Sequence, residues 1–162
     1  MPVLSAYVAL GSNLGNSRQQ VLSAFDALAQ LPFTRLGARS RLYRTPPWGD
    51  LEQPAFVNAV ALLHTVLSPH VLLDALLAIE RRFGRIRHSR PWGPRTLDLD
   101  ILHIPGIRLI DARLHLPHPR VAQRAFALLP LCDLAPDLEL PAQGRADALL
   151  ARLDASGCEI LP

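Results

Sequence analysis

The chain moves between two hydrophobic periods. Residues 5–11, Ser-Ala-Tyr-Val-Ala-Leu-Gly, form a short apolar run closed by glycine, which predicts a buried strand. After the turn Ser12-Asn13-Leu14-Gly15-Asn16, the residues Val21, Leu22, Phe25, Leu28 and Leu31 recur at helical spacing. Asn16 or Ser17 can cap that helix and Pro32 stops it. Residues 34–43 alternate loosely and predict a second strand, and residues 55–66, rich in Val, Ala and Leu, a third. Between them, residues 44–54 carry too much Pro and Gly for anything but a loop. Ser68-Pro69 opens a second helix with the stripe Leu72, Leu76, Ile79 and Phe83, and Gly84 closes it. Residues 85–95 form a second long loop, residues 96–104 a fourth strand, and residues 107–110 a short edge strand. Helices near 119–134 and 145–154 finish the chain. The order β-α-β-β-α-β with a helical C-terminal extension is ferredoxin-like, an α+β fold. It pairs an antiparallel sheet with helices on one face and leaves the other face open beneath the two long loops.

Composition narrows the class. A chain of 162 residues fits one domain. With 49% apolar and 19% charged residues it can bury a core, and its 15 prolines follow no period, which excludes a disordered or fibrous chain. Cys132 and Cys158 lie far apart without metal-ligand spacing. The start Met1-Pro2-Val3-Leu4-Ser5 lacks the basic lead and apolar run of a signal peptide, and no apolar stretch is long enough to span a bilayer. The expected location is cytoplasmic. The net charge is only +3, but all 17 basic residues are arginine. Every cationic contact therefore uses a planar guanidinium, suited to bidentate grip on phosphate or carboxylate.

Three constellations carry chemistry. On a strand, Asp98 and Asp100 share a face, roughly 6.6–7 Å apart, while Leu97, Leu99 and Ile101 face the core. Two like charges so placed suit a hard cation such as Mg²⁺, which pairs of carboxylates hold beside phosphates; a solvated polar strand face has the same pattern. Arg81, Arg82, Arg85, Arg87, Arg90 and Arg95 precede this strand. The first two fit a helix C-terminus. The others sit in the loop running to Asp98, where they would clamp a polyphosphate. Of nine aromatic residues, both tryptophans, Trp48 and Trp92, lie in Gly/Pro loops, where they either plug the core or stack on a flat ligand. A Walker A loop needs lysine and is excluded; G-x-S-x-G and H-E-x-x-H are absent. His115 and His118 flank the rigid Leu116-Pro117 pair, too loosely spaced to mark a metal site.

The motifs Ala9-Leu10-Gly11-Ser12-Asn13-Leu14-Gly15, Tyr43-Arg44-Thr45-Pro46-Pro47, Gln53, Phe56-Val57-Asn58-Ala59, Glu80 and Gly84-Arg85 belong together with a later group. That group is Trp92-Gly93-Pro94-Arg95-Thr96-Leu97-Asp98-Leu99-Asp100-Ile101, Leu116-Pro117-His118-Pro119, Arg124 and Phe126. From about Tyr7 to Pro136 the chain resembles the 6-hydroxymethyl-7,8-dihydropterin pyrophosphokinases of folate biosynthesis. The resemblance implies transfer of pyrophosphate from ATP to the pterin hydroxymethyl group, with AMP released. It implies that Asp98 and Asp100 hold two Mg²⁺ ions and that Arg85 and Arg95 stabilise the transferring phosphates. It places Thr45, Pro46, Pro47, Trp48 and Asn58 along the pterin edge, Phe56 and Phe126 on its two faces, and Trp92 over the site. Glu80, Arg87, Trp92, Arg95, Ile101, Arg113, His115, His118 and Arg124 match positions around the nucleotide. Pro91 stands where the family often has Arg, His115 where a hydroxyl residue is common, and Phe56 where Tyr is frequent. The expected partners are these two small molecules, with no nucleic acid or membrane, and the chain is expected to act as a monomer. RNA binding is a competing reading of the fold order, but the basic-Gly-aromatic run of RNA-recognition sheets is missing and the two aspartates would repel a phosphate backbone. A metal-dependent phosphohydrolase using the same acidic pair is a third.

Overall fold

The computed structural model describes residues 2–47, 52–84 and 96–162. Two strand-helix units build the frame. Strand β1 (Leu4–Ser12) leads through Gly15, whose φ of 67° turns the chain, into helix α1 (Ser17–Ala29). The Asn16 side chain caps α1 by accepting from the Gln19 amide at 3.2 Å, and Val21, Ala24, Phe25 and Leu28 form its buried stripe. Strands β2 (Thr34–Arg39), β3 (Leu42–Thr45) and β4 (Phe56–Thr65) follow. Helix α2 (Pro69–Arg82) starts on a Ser68 cap with proline in its first turn and buries Leu72, Leu76, Ile79 and Glu80. Strand β5 (Asp98–His103) completes the expected order.

The single strand expected over residues 34–43 is two strands. Both pair antiparallel with β4, end to end along one edge: β2 against Ala61–Thr65 of β4 and β3 against Phe56–Asn58. The chain breaks between them because Ser40 is drawn into β4. Its amide donates to the Val60 carbonyl at 2.9 Å and its Oγ accepts from the Val60 amide at 2.8 Å. The third-strand and second-helix expectations hold closely. The edge strand expected at residues 107–110 is instead β6 (Leu109–Ile110), which leaves the main sheet to pair with β7 (His115–Leu116) as a separate hairpin. The helix expected over residues 119–134 begins as a 3₁₀ turn, Val121–Gln123. It restarts as α3 (Ala125–Leu134) because Arg124 is extended, at φ −117° and ψ 92°. The C-terminal extension holds more strand than expected: hairpin β8 (Glu139–Leu140) and β9 (Gly144–Arg145), then α4 (Ala146–Ala151), then β10 (Glu159–Leu161). The main sheet runs β10-β3-β4-β1-β5, with β2 also on β4, and every pairing is antiparallel.

The helices do not all lie on one face. Helices α1 and α2 pack on Ala6, Val8 and Leu10 of β1, Ala59, Ala61 and Leu63 of β4, and Leu99 and Ile101 of β5. Helices α3 and α4 pack on the opposite face, over Val60 and Leu102. Strand β4 is consequently buried along most of both faces, which explains its largely apolar sequence, with the run Ala59–Leu63 between Asn58 and His64. Each fully buried Leu or Phe in these layers contributes roughly 1.5–3 kcal/mol. The second layer covers only part of its face, and the uncovered end is the cleft described next.

Candidate active site

The sheet register sets the floor of the cleft. Across four strands, Tyr43, Asn58, Gly11 and Asp98 are successive partners; two residues along, Val60, Ala9 and Asp100 form the next row on the same face. Residues two apart on a strand share a face, so Asp98, Asp100 and Leu102 all turn away from the layer that holds Leu97, Leu99 and Ile101. Both carboxylates are half-buried and line one cleft of about 670 Å³, its solvent-facing part included. Thr45, Pro46, Phe56, Asn58, Arg124 and Phe126 line it with them, over the small residues Ala9 and Gly11.

Thr45 and Asn58 are buried and joined: the Asn58 amide donates to Thr45 Oγ1 at 2.7 Å. That bond leaves the Asn58 carbonyl lying across β1, where a Cβ on Gly11 would stand 2.7 Å from its Oδ1. Glycine at position 11 is therefore what allows the amide to lie flat on the floor. Asn13 holds the strand ends together by donating to Gln53 Oε1 at 2.9 Å and to the Pro54 carbonyl at 3.0 Å. Pro47 is half-buried beside Pro46 but does not line the cleft.

The far wall comes from the start of α3. Arg124 is 9% exposed, and its guanidinium lies 5.6 Å from the Phe126 ring centroid, so its charge is stacked as well as confined. Burial lowers the Arg124 pKa, while attraction to Asp100 and Asp98 works against that lowering. The cation and the two acids thus share one field. His118 joins the same group: burial, and then the Arg124 charge, push it down to about 4, with Asp98 opposing. Its Nδ1 accepts from the Arg120 amide at 3.1 Å, and its carbonyl accepts from Gln143 Nε2 at 3.0 Å.

A second recess, lined by Leu73, Leu77, Glu80, Leu99 and Arg113, opens on the other side of the same two aspartates. Glu80 is 1% exposed, and its Oε2 accepts from the Leu99 amide at 2.8 Å. The amide belongs to the exposed edge of the sheet, so this carboxylate both satisfies it and fixes the strand between the two acids. Arg113 pairs with Asp74 of α2, and Asp111 accepts from the Arg113 and Leu114 amides and from His70. These contacts tie the β6–β7 hairpin to α2. His115 is exposed on that hairpin and lines neither recess. Ile101 is 4% exposed in the core layer, so only its backbone can meet a ligand.

The structure thus unites Thr45, Pro46, Phe56, Asn58, Asp98, Asp100, Arg124 and Phe126 in one cleft, with Glu80 and Arg113 beside it. Trp48, Arg85, Arg87, Arg90, Pro91, Trp92 and Arg95 lie outside the described residues. Sequence reasoning passed over Gly11 and Ala9 as floor residues; their signal was a pair of small side chains two apart on one strand face. It also passed over Leu73, Leu77 and Leu102, whose apolar character does not separate a recess wall from a core position.

Among the described residues no three His, Cys, Asp or Glu side chains converge as a metal cage. Two half-buried carboxylates on one face fit a cation of the Mg²⁺ type, which takes one or two carboxylates and completes its shell with water and substrate phosphates.

Comparison with known proteins gives the family. A family model described as 7,8-dihydro-6-hydroxymethylpterin-pyrophosphokinase matches residues 7–136. Among curated relatives, the 2-amino-4-hydroxy-6-hydroxymethyldihydropteridine pyrophosphokinase of Pseudomonas aeruginosa is 55% identical over 157 residues, covering 96% of each chain. The protein of the same name from Methylorubrum extorquens is 47% identical over 154 residues, covering 95% of this chain and 96% of its own. Among solved structures, a Plasmodium falciparum HPPK-DHPS with pteroate aligns with a TM-score of 0.71 at 14% identity, a likeness of fold. It covers 93% of this chain, which spans 43% of that longer one. The chain belongs to the 7,8-dihydro-6-hydroxymethylpterin-pyrophosphokinase family.

Proposed function

We propose that the protein transfers pyrophosphate from ATP to the hydroxymethyl group of 6-hydroxymethyl-7,8-dihydropterin and releases AMP. The observation that carries this reading is the single cleft in which an amide-and-hydroxyl floor (Asn58, Thr45) and two phenyl rings (Phe56, Phe126) adjoin the paired acids. A flat bicyclic ligand with an amide-like edge suits the first part, and a polyphosphate met by a hard cation on the carboxylates suits the second.

In this reading the pterin hydroxyl oxygen bonds to the β-phosphorus. The bond from that phosphorus to the α–β bridging oxygen breaks, and the bridging oxygen leaves with AMP. The hydroxyl proton passes to water; no side chain is assigned as its base. Phosphoryl chemistry of this kind depends on placement and on neutralised charge more than on covalent help. Asn58 and Thr45 orient the pterin so that its hydroxymethyl arm reaches the acids. Phe56 and Phe126 hold the ring; offset stacking contributes roughly 0.5–1.5 kcal/mol per pair beyond burial. Asp98 and Asp100 hold Mg²⁺, two ions in our reading, which when bound supplies charge neutralisation to the triphosphate. Arg124 balances charge at the junction of the two recesses. Arg85 and Arg95 stabilise the transferring phosphates, with Arg87 and His118 toward the nucleotide and Trp92 closing over it. Leu73, Leu77, Glu80 and Arg113 receive the nucleoside end, with the Ile101 backbone and His115 nearby. Pro46 and Trp48 complete the pterin rim.

The test is AMP production from ATP, Mg²⁺ and the pterin alcohol. AMP that requires the pterin supports the proposal. Nucleotide hydrolysis that ignores the pterin points to a phosphohydrolase and overturns it.

A further inference from the structure

The C-terminal strand lies beyond the stretch matched by the family model, yet it reaches the cleft wall. Strand β10 pairs with β3 so that Leu161 faces Leu42, Ile160 faces Tyr43 and Glu159 faces Arg44. Continued two residues past the ladder, that register brings Gly157 opposite Pro46. The contact is close: a Cβ on Gly157 would lie 3.2 Å from Pro46 Cγ and 3.5 Å from its Cδ. Pro46 lines the cleft and Gly157 does not. The turn that delivers Gly157 is fixed by the Cys158 amide donating to the Ala155 carbonyl at 3.0 Å, and by Asp154, which accepts from the Ser156 amide at 2.9 Å. An ion pair, Arg44 to Glu159, joins the two strands at 3.3 Å.

Gly157 is not held at a positive φ, unlike Gly15, Gly84, Gly106 and Gly144. Its value here is the absence of a side chain. Proline has one ring and a fixed φ, so a neighbour that presses on its Cγ displaces the ring itself rather than a flexible chain end. We propose that Gly157 is a positioning residue for the substrate cleft, setting where Pro46 stands and so the fit of the ring bound between Phe56 and Phe126. This rests on the pterin reading given above.

The experiment is steady-state kinetics on the full chain with ATP and 6-hydroxymethyl-7,8-dihydropterin, comparing wild type with Gly157→Ala and Gly157→Leu, and with melting temperatures for all three. The expected result is a KM for the pterin that rises with side-chain size, reaching about tenfold for Gly157→Leu, with the KM for ATP within about twofold. The melting temperature is expected to stay within about 2 °C, because the added side chain is at the surface. An unchanged pterin KM in Gly157→Leu overturns the inference while leaving the activity intact. Equal losses for both substrates, with a fall in melting temperature, also overturn it, since they mark general support. A wild-type protein that forms no pterin-dependent AMP overturns the proposed function instead.

Discussion

Asp98 shows how one side chain separates function from stability. It is half-buried on the cleft face, beside Asp100 and within the field of Arg124. Removing its charge relieves repulsion with Asp100, which offsets the lost attraction to Arg124, and empties no core position. Asp98→Ala is therefore expected to keep the wild-type melting temperature and to lower kcat by about 10²-fold or more, measured as AMP formation. Near-normal turnover would sink the metal-holding role. His118 behaves in the opposite sense. Its folded pKa of about 4 lies below the ordinary 6.5, so the native state binds fewer protons than the unfolded chain between those values. Stability is then full above pH 6.5 and falls as pH drops toward 4, by up to about 3 kcal/mol from this group. Urea denaturation across that range is the measurement, and His118→Gln is expected to flatten the slope. An equal slope in the variant would assign the acid sensitivity elsewhere. The pair of acids was legible in the sequence because strand alternation fixes their side. The lowered pKa of His118 was not, because it comes from burial and from the Arg124 charge, both set by the fold.

At the scale of elements, the two walls of the cleft are cross-linked by one carboxylate. Asp133 near the end of α3 accepts from the Tyr43 hydroxyl at 2.8 Å and from Arg41 Nη2, also at 2.8 Å, both from the β3 side. Burial raises the Asp133 carboxyl, but the hydrogen bonds from Arg41 and Tyr43 outweigh it and the pKa ends below its usual value. Burial and the bond to Asp133 push Tyr43 up to about 12. Arg41 is the larger cause of that lowering but is well exposed, so solvent screens its contribution to stability more than that of the bond from the buried Tyr43. Asp133→Ala is expected to cost about 1–3 kcal/mol in urea denaturation, and Tyr43→Phe less; a cost under about 0.5 kcal/mol for the first would show that the link is idle. Most elements could be read from periodicity and caps. Strands β2 and β3 merged in the sequence because the break at Ser40 is made by a bond to Val60, twenty residues away. Strand β10 escaped notice because three residues carry no period, and only a partner strand makes them a strand.

For the whole molecule, the ferredoxin-like order was legible, but the covering of the second face was not. The sequence signal existed in β4, whose apolar run has no polar alternation; a strand wet on one side would alternate. Because the two apolar layers share the same strands, neither has a sheet of its own to fold around. Unfolding is expected as one cooperative transition, with far-UV and aromatic signals coinciding; two separated midpoints would show that α3 and α4 form an independent unit. Strand β5 has a further consequence of this shared sheet. Sliding it by one position against β1 would thrust both acids into the oily layer under α1 and α2 and turn Leu99 outward, at several kcal/mol per buried charge. The two carboxylates that line the cleft thereby also disfavour a slipped register of this edge strand.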